Sequence, residues 1–214
     1  MLPDDPLGWA RPLLSPAFSL WGTPTTWLEL LAFVLALAMV AANFRVHPVA
    51  WPLAMASSAL YALLFADARL YGEAGLQFVF IAVAVWGWWQ WLRGTGEDGR
   101  ALQVHRLSKA GCAWALGLTL AAWPLLALAL DHFTNSDVPW LDALPTVASL
   151  TGQVLLARKV LENWAVWLAV NVVSVGLFAL KGLWLTVILY AIFAVLSVVG
   201  WRVWSQRLRA EGAR

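Results

Sequence analysis

Apolar stretches of about 20 residues fill nearly the whole chain, and that length is what one bilayer crossing requires. Seven such segments stand out, at about 26–43, 48–66, 70–92, 110–131, 139–157, 161–180 and 183–204. In hydrocarbon every backbone N–H and C=O must be bonded within its own segment, so each is expected to be a helix. The charge content agrees: 12% of the 214 residues are charged, against about 25% in soluble domains. The first segment follows a proline-rich stretch, 1–25, lacks a preceding basic region and carries Glu29. It therefore reads as a retained span rather than a cleaved signal.

Lysine and arginine orient the spans. Seven crossings put the termini on opposite sides. Arg45, Arg93, Arg100, Arg106, Lys109, Arg158, Lys159, Arg202, Arg207, Arg209 and Arg214 fall on one side, and only Arg11, Arg69 and Lys181 on the other. Positive charge is retained on the cytoplasmic face. The N-terminus is thus expected outside and the C-terminus inside a bacterial cytoplasmic (inner) membrane. The glycine-bearing segment 93–109 becomes a cytoplasmic loop, read as a flexible connector, and 205–214 a basic cytoplasmic tail. The single cysteine, Cys112, rules out an intrachain disulfide, and the three dispersed histidines show no metal-ligand spacing. No cofactor, metal or nucleic acid is expected, and no catalytic constellation is apparent.

The chain also repeats. A shift of 113 residues superimposes 27–91 on 140–204 without a gap. Four of the six tryptophans in each half coincide: Trp27 with Trp140, Trp51 with Trp164, Trp88 with Trp201, and Trp91 with Trp204. Gly87 meets Gly200, Arg45 meets Arg158, and Glu29 meets Asp142. The expected architecture is all-α: three-helix repeats at 26–92 and 139–204, run parallel by a linker helix at 110–131, in a 3+1+3 arrangement. Parallel repeats occur in transporters that bind substrate at the repeat interface near mid-membrane.

Polar side chains inside the spans mark candidate sites, because hydrocarbon penalises them. Asp142, Thr146, Ser149 and Gln153 share one face of the fifth span, and Trp164, Trp167, Asn171 and Ser174 one face of the sixth. Glu73 and Gln77 lie one turn apart in the third, and Trp51, Ser58 and Tyr61 lie in the second. Indole planes opposite amides suit a flat ring that is neutral or cationic. Two bland readings compete: serine and threonine often bond their own helix, and asparagine and glutamine often join helices. Trp86, Trp88, Trp89, Trp91, Trp201 and Trp204, at cytoplasmic helix ends, read as membrane anchors. Glu29 and Asp142 are either caps or counter-charges. Pro52, Pro124 and Pro145 are possible bends, Pro145 being the best hinge candidate. No lysine or arginine lies mid-span, which disfavours a phosphorylated substrate.

Leu70-Tyr71 through Trp86-Gly87-Trp88-Trp89-Gln90-Trp91, Trp140-Leu141-Asp142-Ala143-Leu144, Ala157-Arg158-Lys159, Glu162-Asn163-Trp164-Ala165-Val166-Trp167 and Lys181-Gly182-Leu183-Trp184-Leu185-Thr186 together resemble the nicotinamide riboside transporter (PnuC) family over about 25–205. The resemblance implies a seven-helix fold similar to the SWEET sugar transporters. It also implies facilitated diffusion of nicotinamide riboside, trapping by a cytoplasmic kinase, and oligomers including trimers. It places Trp164 and Trp167 in the substrate site, with Asn163 in the same block. Asn171 departs from the acidic residue common at that position, and related members carry thiamine or riboflavin.

Overall fold

The structure, a computed structural model, describes residues 8–20, 22–67, 71–96, 99–133, 138–180 and 184–212. Arg69 and Lys181, read as loop charges, lie outside them, and so does the Glu73 side chain. Seven helices of 18 or more residues stand among the described residues: α2 (Trp27–Phe44), α3 (Ala50–Asp67), α4 (Tyr71–Arg93), α5 (Lys109–Phe133), α6 (Pro139–Ala157), α7 (Asn163–Leu180) and α8 (Trp184–Gly212). Five of them (α2, α4, α5, α7 and α8) are long and apolar enough to cross a membrane. In α3 the apolar part is the shorter Ala50–Leu64, and α6 carries the polar face described above. The chain forms two compact units, residues 1–88 and 89–214.

In the first unit the N-terminal stretch is not a bare tail. A 3-10 turn (Gly8–Ala10) and a single-turn helix α1 (Arg11–Leu14) lead into strands β1 (Pro16–Leu20) and β2 (Thr23–Thr26), paired antiparallel. Gly22 takes φ +84° between them, a conformation glycine adopts without steric cost. Arg11 Nη1 reaches Asp67 Oδ1 at 3.1 Å, tying this stretch to the end of α3. Thr26 then starts α2 with a capping box. Glu29 N donates to Thr26 Oγ1 at 3.2 Å, and Thr26 N donates to Glu29 Oε2 at 2.7 Å. Glu29 is therefore a cap. α2 packs on α3, and Ser57 Oγ donates to Ala32 O between them at 3.4 Å.

In the second unit α5 packs on α6, α6 on α7, and α7 on α8. Only 6% of the apolar window of α5 is buried, leaving its sides for lipid. Its attachment to α6 is polar and aromatic. Thr119 and Thr151 share a hydroxyl hydrogen bond of 2.7 Å, and Trp123 Nε1 donates to Trp140 O at 2.8 Å. Pro124 and Pro145 interrupt the interiors of α5 and α6. Pro52 lies in the first turn of α3, where its missing N–H costs no helical bond, so it is not a bend.

The repeat is visible in local structure. After α2, Val46 takes φ +53°; after α6, its counterpart Lys159 takes φ +55°. Val46 N donates to Asn43 O at 3.1 Å and His47 N to Ala42 O at 3.0 Å. Lys159 N donates to Leu156 O and Val160 N to Leu155 O, both at 2.9 Å. Both are Schellman caps, built without glycine at positions exactly one repeat apart. The core contact recurs too. Trp51 covers Gly87 and Trp164 covers Gly200, so closely that an added Cβ would collide with either ring.

The described residues 99–109 are not a flexible connector. His105 N donates to Lys159 O at 3.1 Å and Leu161 N to His105 O at 2.9 Å, a parallel bridge to the α6–α7 turn. Lys159 Nζ donates to Leu102 O at 2.9 Å and lies 5.3 Å from the Trp91 ring centroid. Glu162 Oε2 accepts from Leu107 N at 2.9 Å. Four bonds thus hold the segment against one turn.

Gly87→Ala and Gly200→Ala are each expected to destabilise by about 1–3 kcal/mol through overpacking. Gly176→Ala, where nothing lies within 4 Å, should be neutral or better. Thermal unfolding in detergent checks this; an unchanged midpoint for both tight glycines would contradict the contact.

Candidate substrate site

The eight residues expected at the site divide by unit and by burial. Trp51, Tyr61 and Gln77 lie in the first unit, and Gln153, Asn163, Trp164, Trp167 and Asn171 in the second. Trp51, Asn163, Trp164 and Asn171 are buried; Tyr61, Gln77, Gln153 and Trp167 are half-buried.

Packing explains the buried group. Trp164 is 4% exposed. Its ring meets Trp204 edge-on at 5.6 Å, and Trp204 meets Trp91 at 6.4 Å. Trp91 Nε1 donates to Leu156 O at 3.1 Å. Tryptophans Trp91 and Trp204, expected to anchor in the interface, are instead 7% and 0% exposed. The indoles form a buried edge-on and tilted cluster at the end of the unit that carries the docked loop. Asn163 Nδ2 donates to Val160 O at 2.6 Å, bracing the entry into α7. Asn171 Nδ2 donates to Ser197 Oγ at 3.1 Å, and Ser197 Oγ donates to Phe193 O at 2.8 Å. Asn171 thus joins α7 to α8, the role that amides commonly take between membrane helices.

Trp167 has different surroundings. α6 presents Gly152 where α7 presents Trp167, and a Cβ on that glycine would come within 3.1 Å of the indole. The missing side chain lets Trp167 lie against the α6 backbone at Gly152. Trp167 and Gln153, the residue after Gly152, are both partly accessible. Elsewhere on α6, Thr146 Oγ1 bonds back to Asp142 O at 2.9 Å, so its hydroxyl serves the helix. Asp142 sits in the first turn of α6.

A notch of about 260 Å³ opens between α7 and α8, lined by Trp164, Ala165, Leu168, Ser197, Val198, Trp201 and Arg202. Of the expected residues only Trp164 borders it, and it is nearly all apolar. Gly152 and Ser197 were not expected at the site. Ser197 lies in an apolar helix with no motif around it, and Gly152 gains meaning only from the ring placed over it. Among the described residues no group of three or more metal-ligating side chains occurs.

Long apolar helices packed through small residues, with amides and indoles turned inward, define a multi-pass membrane protein. The family model "Nicotinamide mononucleotide transporter" matches residues 26–206. The chain belongs to that transporter family, which is not a family of enzymes. It is 27% identical to the nicotinamide riboside transporter PnuC of Escherichia coli (strain K12), over 72% of this chain and 75% of the relative. It is 32% identical to the riboflavin/roseoflavin transporter RibM of Streptomyces davaonensis, over 93% of this chain and 94% of the relative. The crystal structure of the vitamin B3 transporter PnuC superimposes with a TM-score of 0.71 at 23% identity, covering 86% of this chain and 83% of that one. That likeness establishes a shared fold.

Trp167→Ala is expected to weaken substrate binding about 10-fold while leaving the unfolding midpoint near wild type, since a stacked aromatic contributes roughly 0.5–1.5 kcal/mol beyond its area. Trp164→Ala should lose about 3–5 kcal/mol of stability instead. Paired binding titrations and detergent melts separate the two; the reverse pattern would exchange their roles.

Proposed function

We propose that this protein takes up nicotinamide riboside by facilitated diffusion. The observation that carries the reading is the half-buried Trp167 indole seated on Gly152: a ring to stack on a flat pyridinium, with the amide of the next residue on α6, Gln153, proposed to read its polar edge. Tyr61 and Gln77 of the first unit are also half-buried. Apart from Arg202, ten residues inside the C-terminal end of α8 and bordering the notch at Trp164, the described lysines and arginines lie in loops or near helix ends, so α2 to α7 hold no mid-helix guanidinium for a phosphate. The dephosphorylated nucleoside is therefore the proposed cargo rather than its mononucleotide.

The proposed architecture is a 3+1+3 arrangement of parallel three-helix repeats, similar to SWEET proteins, with α5 as the linker. The recurring caps and indole–glycine contacts support it. The N-terminus is placed outside and the C-terminus inside the bacterial inner membrane, following the distribution of lysine and arginine. A cytoplasmic kinase would trap the product, and a homotrimer is the proposed assembly. Asp142, at the N-terminal end of α6, is either a first-turn charge or a counter-charge for the cation.

Riboflavin is the second reading, favoured by the relative RibM, matched over nearly the full length of both chains. A neutral Asn171 bonded to Ser197 suits an uncharged ring system better than a carboxylate would. Purified protein titrated with nicotinamide riboside, nicotinamide mononucleotide, thiamine and riboflavin, followed by proteoliposome uptake, decides between them. Selective riboside binding with downhill uptake is expected. Preference for riboflavin or thiamine would move the substrate and keep the mechanism. Tight mononucleotide binding would overturn the charge argument, and binding without flux would make the protein a sensor.

A further inference from the structure

A second concave site has no indole in its lining. It is an open groove of about 460 Å³ between the docked segment and the end of α8, lined by Val104, His105, Arg106, Ser205, Leu208 and Arg209. We propose that this groove binds the headgroup of an anionic phospholipid.

Two guanidiniums from different elements flank it, Arg106 from the segment before α5 and Arg209 from the last turns of α8. Neither is paired with a carboxylate among the described residues. Arginine forks match phosphate oxygens better than any other side chain. Backbone on both sides of Arg106 is fixed. His105 is held by two bonds to the α6–α7 turn, and Leu107 N by the Glu162 carboxylate. Arg106 is thus presented from a braced strand rather than a loose loop, which lowers the ordering cost of binding. Val104 and Leu208 give the groove an apolar part, and Ser205 Oγ is buried without a hydrogen-bond partner. Apolar side chains in the same lining as two cations fit a phosphodiester carrying acyl chains better than a freely hydrated ion.

Placement agrees. The apolar window that includes this end of α8 runs Trp184–Ala210, so the groove lies where helix leaves hydrocarbon. Basic pockets at that level bind anionic headgroups. The site involves none of the residues assigned to substrate, so it stands whichever vitamin is carried.

The test is lipid retention by the full-length protein in native mass spectrometry, with phosphatidylglycerol and phosphatidylcholine supplied at equal concentration. Wild type should retain phosphatidylglycerol selectively. Arg106→Gln/Arg209→Gln should weaken retention roughly 25-fold, at about fivefold per guanidinium near an anionic surface. Arg93→Gln/Arg100→Gln, which removes the same charge outside the groove, should change it little. Equal loss in both double variants would reduce the effect to net charge and overturn the site. Competition by millimolar inorganic phosphate or glycerol 3-phosphate as effective as the lipid's own binding would overturn the lipid assignment. Both double variants should keep wild-type substrate binding, which separates failure here from failure of the transport reading.

Discussion

In each half of the chain an indole lies over a glycine, Trp51 over Gly87 and Trp164 over Gly200, and much of the packing depends on that contact. Membrane helices gain little from hydrophobic association, since lipid tails are as apolar as leucine; they associate through close packing and small residues. A glycine under a ring gives the shortest approach available to the largest side chain. Around the second contact Trp204, Trp91 and the Lys159 ammonium build outward. The docked segment 99–107 then closes over them through its bonds to Lys159, Leu161 and Glu162.

The Glu162-Asn163-Trp164-x-x-Trp167 block gains a different meaning from this geometry. Glu162 holds the Leu107 amide, Asn163 braces the α7 entry, and Trp164 fills the space over Gly200. Three residues of the motif thus build the scaffold, and Trp167, half-buried against Gly152, is the one aromatic of the motif left partly accessible. A motif this dense need not be a binding site throughout.

The helices were legible because 20-residue apolar runs permit little else, and their limits agree within about two residues for six of the seven. The exception is α8, which continues to Gly212. Hydropathy ends where water begins, but Arg207, Leu208, Arg209 and Ala210 are good helix formers and carry the helix onward. The β1–β2 hairpin was not legible in a proline-rich stretch, and neither was the docking of 93–109. A single parallel bridge to the α6–α7 turn depends on tertiary proximity that no local pattern encodes. Within the site, burial was the missing quantity: Asn171 and Gln153 are both amides on inward faces, yet Asn171 is 3% exposed and bonded to Ser197.

Comparing the two repeats residue by residue separates scaffold from specificity. Shared positions are structural: the tryptophan–glycine contacts, the Val46 and Lys159 caps, and the arginines before them. Where the repeats differ, the second carries most of the residues proposed to meet substrate. Gly152 stands opposite Met39, Gln153 opposite Val40, Trp167 opposite Ala54, and Asn171 opposite Ser58. The first repeat diverges elsewhere, with Tyr61 against Ser174 and Gln77 against Tyr190. A duplicated scaffold must keep whatever holds its helices together, but it is free to vary the groups that meet a substrate. The proposed cargo, with a ring at one end and a sugar-like chain at the other, is asymmetric in the same sense. Trp167 and Gln153 therefore have a stronger claim to the substrate than Trp164, although Trp164 lies in the same motif.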